Sequence, residues 1–163
     1  MKNISATVLL ISLIMMISAC TGWRLRGSNT NDIFIGDSIY LSGQVSASYR
    51  LVEEQLNRQN ALTSLAAAQY FLTLEKEDWD RRGASVTRTA VTAEYELTLS
   101  LNYTVLDNNQ TVLRPSTEVT ITRSYTFDQN DVAGKDKEEE LIRKEMRRAV
   151  VRQILQQVQL LQR

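Results

Sequence analysis

Thr92-Ala93-Glu94-Tyr95-Glu96-Leu97-Thr98-Leu99-Ser100-Leu101-Asn102-Tyr103-Thr104-Val105 alternates polar and apolar residues from Glu94 to its end. Its odd positions from 95 are Tyr, Leu, Leu, Leu, Tyr and Val; its even positions from 94 are Glu, Glu, Thr, Ser, Asn and Thr. Successive side chains on a strand point to opposite faces, so this stretch is a long strand with one apolar and one wet face. A sheet with one apolar face needs cover on that side, and helices are the usual cover. Two candidate helices lie in the chain, one before and one after this strand.

The neighbouring stretches read as its partners. Ala67 to Asp78 is a second strand candidate, with Ala68, Tyr70, Leu72 and Leu74 alternating with Gln69, Phe71, Thr73 and Glu75. Trp79-Asp80-Arg81-Arg82-Gly83 reads as a turn, its glycine tolerating positive φ, and places the start of the central strand near Ser85. Asp107-Asn108-Asn109-Gln110 is a strong turn signal at its other end. Beyond it Val119, Ile121, Tyr125 and Phe127 alternate with Thr120, Thr122, Ser124 and Thr126, with Arg123 interrupting the apolar face. The single proline, Pro115, lies near the start of that strand, where a missing donor does least harm. Ala67 to Phe127 is thus a three-stranded antiparallel meander.

Further out, Ser38 to Leu41, with Ile33 as the earliest start, reads as a short strand broken by Gly43. Ser46 caps a helix to about Arg58, with Tyr49, Val52 and Leu56 on one face and Asn60 as its stop. Asp128 to Gly134 is a loop, and Asp136 to about Leu161 a long helix. Glu138, Glu139 and Glu140 then fall in its first turns, which suits the helix dipole. Ile142, Met146, Val150, Ile154 and Val158 form a stripe, broadened by Leu141, Ala149, Leu155 and Leu161. Each such residue contributes about 1.5–3 kcal/mol when fully buried, and the stripe is read as cover for the sheet rather than a membrane or partner-helix surface. The order β-α-β-β-β-α gives an α+β two-layer sandwich: two helices on one mixed four-stranded sheet, within a single domain over residues 33–163. The first strand joins the meander through a right-handed crossover.

The 163 residues suffice for one domain with a core. Nineteen basic and nineteen acidic residues cancel, so bulk charge points to no nucleic-acid partner. With no histidine and one cysteine, an internal disulfide, a Cys/His zinc site and a Ser-His-Asp or Cys-His arrangement are excluded. Glu94 and Glu96 share a strand face, but on a wet face nothing raises either pKa, and no nucleophile, base and orienter assemble. No enzyme and no metal or other cofactor is expected.

The N-terminus reads separately. Lys2 precedes an apolar run, Ile4 to Ile17, that is short for a membrane span and suits a secretory signal over residues 1–19. It ends in Ile17-Ser18-Ala19-Cys20, which resembles the bacterial lipoprotein box; the alternative is an uncleaved anchor with a chance cysteine. That resemblance implies that Cys20 carries covalent lipid, including palmitate, and that residues 20–32 are the lipidated N-terminus and a polar connector. Thr21 after the cysteine implies, by resemblance to enterobacterial lipoproteins, sorting to the outer membrane. Trp23 fits either the membrane interface or the domain's own surface.

Five further segments stand in order: Gly22-Trp23-Arg24-Leu25-Arg26, Ser85-Val86-Thr87-Arg88, Thr92-Ala93-Glu94-Tyr95, Arg123-Ser124-Tyr125, and Lys135-Asp136 leading to Ile142-Arg143-Lys144-Glu145-Met146. With the lipoprotein box they resemble the LptE-type LPS-assembly lipoprotein family, over nearly the whole mature chain. The chain departs from the family pattern by the inserted Thr21 and by the lack of a proline in the connector. The resemblance implies a lipid-anchored protein on the periplasmic side of the outer membrane. It would help a large β-barrel translocon assemble, plug its lumen, and bind lipopolysaccharide on the way to the outer leaflet. It carries lipopolysaccharide binding to Arg88 and Lys135, two positive charges for a phosphate of lipid A. Taken by themselves, an Arg on a strand and a Lys at a helix start read as solvated surface charges. Arg81-Arg82 is a second basic pair that could reach phosphates at the same end. The alternative function is a stand-alone outer-membrane lipoprotein that binds lipid or peptidoglycan.

Overall fold

The computed structural model describes residues 35–86, 92–127 and 132–162. Strand β1 spans Ile39–Gly43, helix α1 Ala47–Arg58, strand β2 Tyr70–Val86, strand β3 Thr92–Asp107, strand β4 Val112–Thr126 and helix α2 Val132–Leu161, with a 3-10 turn at Leu65–Ala67. The sheet order is β1-β2-β3-β4. β1 runs parallel to β2, and β2, β3 and β4 form an antiparallel meander. This is the expected mixed sheet in a β-α-β-β-β-α order.

The central alternation is realised in full. Leu97, Leu99, Leu101, Tyr103 and Val105 of β3 are buried, and Leu72, Leu74, Val119 and Tyr125 extend the same face. Val52 and Leu56 of α1 and Met146, Val150, Val151, Ile154, Leu155 and Val158 of α2 close over it in one cluster. Leu141, expected to broaden the α2 stripe, is exposed instead, because it lies about 100° round the helix from Ile142.

Local chemistry explains the boundaries of α1. The Ser46 hydroxyl accepts from the Tyr49 N–H at 3.1 Å, and Asn60 takes a φ of +55°. The Ala61 N–H then donates to Leu56 O at 2.9 Å and the Asn60 N–H to Asn57 O at 3.0 Å, which is a Schellman close. Gly43 ends β1 with a φ of +119°, and a Cβ there would lie 1.8 Å from the Leu74 carbonyl oxygen. At the β3–β4 turn the Asp107 carboxylate accepts from the N–H groups of Asn109 and Thr111, both at 2.8 Å. Gln110 takes a φ of +62° there.

Several expected boundaries are corrected. β2 does not start at Ala67 or stop at Asp78: it starts at Tyr70 and runs to Val86. Trp79 to Gly83, expected as a turn, pairs with Leu99 to Tyr95, and Ser85 belongs to β2 while β3 begins at Thr92. The unbroken length of β3 offers ladder partners all along β2, and that outweighs the local turn preference of Asp, Arg and Gly. α2 starts at Val132, not Asp136, so Glu138, Glu139 and Glu140 sit beyond the first turn, where the dipole effect has faded. They form ion pairs instead. β4 starts at Val112, with Pro115 inside it; Pro115 and Ser116 bulge opposite Thr104 on a strand paired on one side.

One irregularity positions the site. Leu74 pairs with Tyr103 and Glu77 with Leu101, so Glu75 and Lys76 together face Asn102. This bulge shifts the parity of β2. Before it the even residues Leu72 and Leu74 point to the helices; after it Glu77 and Trp79 do.

Candidate functional site

Beyond the bulge, the helix-facing side of the sheet changes from aliphatic to polar and aromatic. The Glu77 side chain is 7% exposed and is held by three donors from three elements. Trp79 Nε1 donates to its Oε1 at 2.6 Å, Arg147 Nε to the same oxygen at 2.8 Å, and the Ser48 N–H to its Oε2 at 3.1 Å. Burial works to raise the Glu77 pKa, but the donors from Arg147, Trp79 and Ser48 outweigh it and hold the group below the ordinary carboxylate range. The Arg143 and Arg147 guanidiniums lie 4.5 and 5.0 Å from the centroid of the Trp79 ring.

A second carboxylate, Glu139, sits two turns earlier on α2. Arg143 holds it through Nε and Nη2, both at 2.8 Å from Oε1. The Tyr125 hydroxyl donates to its Oε2. Arg81 Nε lies 3.5 Å from Oε2. Burial again works to raise the pKa, and the Tyr125 and Arg143 hydrogen bonds with the charges of Arg143 and Arg81 pull it below the usual value. Burial and the neighbouring Glu139 carboxylate push the Tyr125 phenol up to about 12, so it stays a donor.

Arg81 also lies 4.0 Å from the centroid of the Tyr95 ring. Tyr95 stacks on Tyr125 at 5.8 Å and meets the Phe127 ring edge-on at 5.4 Å. A row of Arg81, Tyr95, Tyr125 and Phe127 thus crosses β2, β3 and the end of β4 beside the first turns of α2.

Among the sequence-predicted residues, Cys20, Arg88, Trp23, the signal over 1–19 and the connector over 20–32 lie outside the described residues. Lys135 lies in the first turns of α2 with a 19% exposed side chain, and its ammonium donates to Glu138 Oε2 at 2.7 Å. Arg81 and Arg82, expected as one basic pair in a loop, are adjacent on β2 and serve opposite faces. Arg81 faces Glu139, while Arg82 donates to Glu96 Oε1 through Nε at 2.7 Å and Nη2 at 2.5 Å on the open face. Glu96 is therefore a salt-bridge partner. The Glu77 and Glu139 centres were not legible as a site in the sequence. One signal was present: Glu139, Arg143 and Arg147 recur every four residues along one side of the apolar stripe.

The arrangement is one of fixed cations, aromatic faces and hydrogen-bonded carboxylates. It suits the docking of an anion with apolar surface rather than proton transfer. No group of three or more His, Cys, Asp or Glu able to hold a metal occurs among the described residues. No helix among them is long and apolar enough to cross a membrane.

Solved structures resemble this one. A crystal structure of the rare lipoprotein B from Shewanella oneidensis matches with a TM-score of 0.66 and 29% identity, covering 75% of this chain and 93% of that chain. A solution NMR structure of an uncharacterized lipoprotein B from Nitrosomonas europaea shares the fold with a TM-score of 0.70 at 22% identity, covering 85% and 90%. A crystal structure of a minor lipoprotein from Acinetobacter baumannii does so with a TM-score of 0.61 at 16% identity, covering 77% and 92%. The family described as Lipopolysaccharide-assembly, LptE, matches residues 36–158, from just before β1 to the last turn of α2. Both layers of the sandwich fall within that match, and the chain belongs to the LptE lipopolysaccharide-assembly family.

Proposed function

We propose that this chain is an outer-membrane lipoprotein that helps a large β-barrel lipopolysaccharide translocon assemble and plugs its lumen. The family match across the whole sandwich carries this reading. In it, residues 1–19 are a signal peptide, Cys20 carries the lipid anchor, residues 20–32 are a connector, and residues 33–163 face the periplasm as one domain. The surface chemistry supports a plug. The face of the sheet away from the helices is hydroxyl-rich, with Ser42 to Thr73 and Ser100 to Thr120 contacts at 2.9 Å and a Thr98 to Thr122 contact at 3.4 Å. Barrel interiors are polar, and these hydroxyl rows match them, while Tyr40, Phe71, Leu106 and Val112 put apolar surface at one end of the same face. The family description is one of assembly, not of a reaction, and no step of chemistry is assigned to the chain.

Affinity-purifying the full chain from detergent-solubilised envelopes tests the reading. A near one-to-one complex with a large outer-membrane β-barrel is the expected result. Recovery of the chain without a barrel would overturn the plug and favour a stand-alone binder of lipid or peptidoglycan.

Within the same reading, Arg88 and Lys135 bind lipopolysaccharide through its phosphates. Lys135 would exchange the Glu138 carboxylate for a phosphate oxygen, a trade between two charge-assisted hydrogen bonds. Charge reversal at both positions is expected to weaken lipopolysaccharide binding without unfolding the domain. An unchanged isotherm would remove the site assignment and leave the partner assignment standing.

A further inference from the structure

We propose that Arg81, laid on the Tyr95 ring, is a further phosphate-reading position, taking a phosphate monoester of a glycolipid whose apolar part rests on Tyr95 and Phe127. The inference rests on lipopolysaccharide being a ligand of this chain.

Four neighbouring arginines differ in how firmly they are committed. Arg82 holds Glu96 through two nitrogens, Arg143 holds Glu139 through two nitrogens, and Arg147 holds the buried Glu77. Arg81 differs. Its ion pair to Glu139 is 3.5 Å long, and its side chain is 40% exposed. Glu139 already has Arg143 and the Tyr125 hydroxyl, so Arg81 is the outermost of its three partners. An incoming anion can take the Arg81 fork while Glu139 keeps two donors. The guanidinium is also held in place: the Tyr95 ring lies 4.0 Å beneath it, and Tyr95 is itself braced by Tyr125 and Phe127. A planar cation fixed on an aromatic face matches a phosphate with two parallel N–H donors at little entropic cost.

The surroundings select the ligand class. Tyr95 and Phe127 are partly exposed, so apolar surface adjoins the cation. A free inorganic phosphate uses only the cation; a phosphorylated sugar with acyl chains uses both. Lys135 lies four residues before Glu139 on α2, hence on the same helix face one turn away. The Arg81 position therefore adjoins the Lys135 position through Glu139 and offers a second phosphate its own cation.

The test is titration of the full chain in detergent with bisphosphorylated lipid A, monophosphorylated lipid A and inorganic phosphate. The proteins are the wild type, Arg81→Gln, Arg81→Lys, Tyr95→Leu and the Arg88→Glu/Lys135→Glu pair. Expected for Arg81→Gln is a roughly tenfold loss of affinity for the bisphosphorylated form, the size of one charge-assisted hydrogen bond, and a smaller loss for the monophosphorylated form. Arg81→Lys should restore little, because an ammonium lacks the fork, and Tyr95→Leu should fall between. Thermal midpoints close to wild type for Arg81→Gln and Arg81→Lys separate binding from folding, since a long, half-exposed ion pair contributes little to stability. Wild-type affinity in Arg81→Gln, with binding lost in the double charge reversal, overturns the Arg81 proposal alone. Wild-type affinity in both, or no binding by the wild type, overturns it together with the lipid-binding sites. Equal losses for inorganic phosphate and lipid A would assign Arg81 to free phosphate and overturn the glycolipid class.

Discussion

Glu77 shows how much one side chain ties together. Its carboxylate joins β2 to Trp79 on the same strand, to the N-terminus of α1 through Ser48, and to Arg147 on α2, 70 residues away. Removing it leaves a guanidinium and an indole N–H without their acceptor in a largely dry site. Glu77→Leu is expected to cost about 2–4 kcal/mol, read from the urea midpoint. Pairing it with Arg147→Met should recover part of that loss, since the second change removes the stranded charge. The same carboxylate sets a pH dependence. Its folded pKa, like that of Glu139, lies below the ordinary 4.5, so the folded state binds its proton less readily than the unfolded chain. The stability these groups add is fully present above pH 4.5 and is lost as the pH falls below that value through their folded pKa values. Urea midpoints of the wild type should therefore drop on acidification below 4.5, and by less in Glu77→Gln. An equal drop in both would remove Glu77 from the account.

Among the elements, the body of β3 and the whole of α1 were legible because nothing interrupts their patterns, whereas the expected start of β3 near Ser85 falls on β2. β3 alternates from Glu94 to Val105 and pairs on both sides. α1 carries its own start at Ser46 and its own stop at Asn60. β2 is hard to read because a bulge at Glu75 and Lys76 shifts its parity. A strict alternation carried past Leu74 would turn Lys76 and Asp78 inward, and a turn at Trp79 is the natural escape from that conflict. The bulge reverses the assignment and brings Glu77 and Trp79 to the helices, so the polar centre was hidden by the same feature that builds it. The early start of α2 is hidden for a different reason: Gly134 is a poor helix former, and the polar run Asp128 to Asp131, though it offers Asp131 as a cap residue directly before Val132, reads equally well as a loop. At the end of β1, beside the β2 bulge, Gly43 is fixed by its positive φ and by the close Leu74 carbonyl. Gly43→Ala should destabilise the domain by roughly 2–4 kcal/mol in urea unfolding, through backbone strain and a displaced ladder oxygen. A loss below about 0.5 kcal/mol would mean that the β1 end can shift to accept the methyl.

For the whole molecule, the sheet's two outer strands differ in protection. β1 is flanked by Ala61 to Thr63, with the Ile39 N–H donating to Ala61 O at 2.7 Å and the Thr63 N–H to Ile39 O at 2.9 Å. β4 pairs on one side, along β3, for fifteen residues. Its defences are the Pro115 bulge and Arg123, a charge in the row of Val119, Ile121 and Tyr125. An inward-row charge on an edge strand discourages pairing with a second copy. Arg123→Ile should therefore increase self-association in sedimentation velocity of the full chain in detergent, while Arg123→Lys should not; a monodisperse Arg123→Ile would place the protection elsewhere. The order of the elements has a temporal side as well. The meander is made of neighbours in sequence and can zip early, whereas α2 must arrive after it and closes contacts as distant as Glu77 to Arg147. As the chain emerges from N- to C-terminus, Leu97, Leu99, Leu101 and Tyr103 stand bare until the final helix arrives. During that interval the nascent domain is a client for any chaperone that recognises exposed apolar strands.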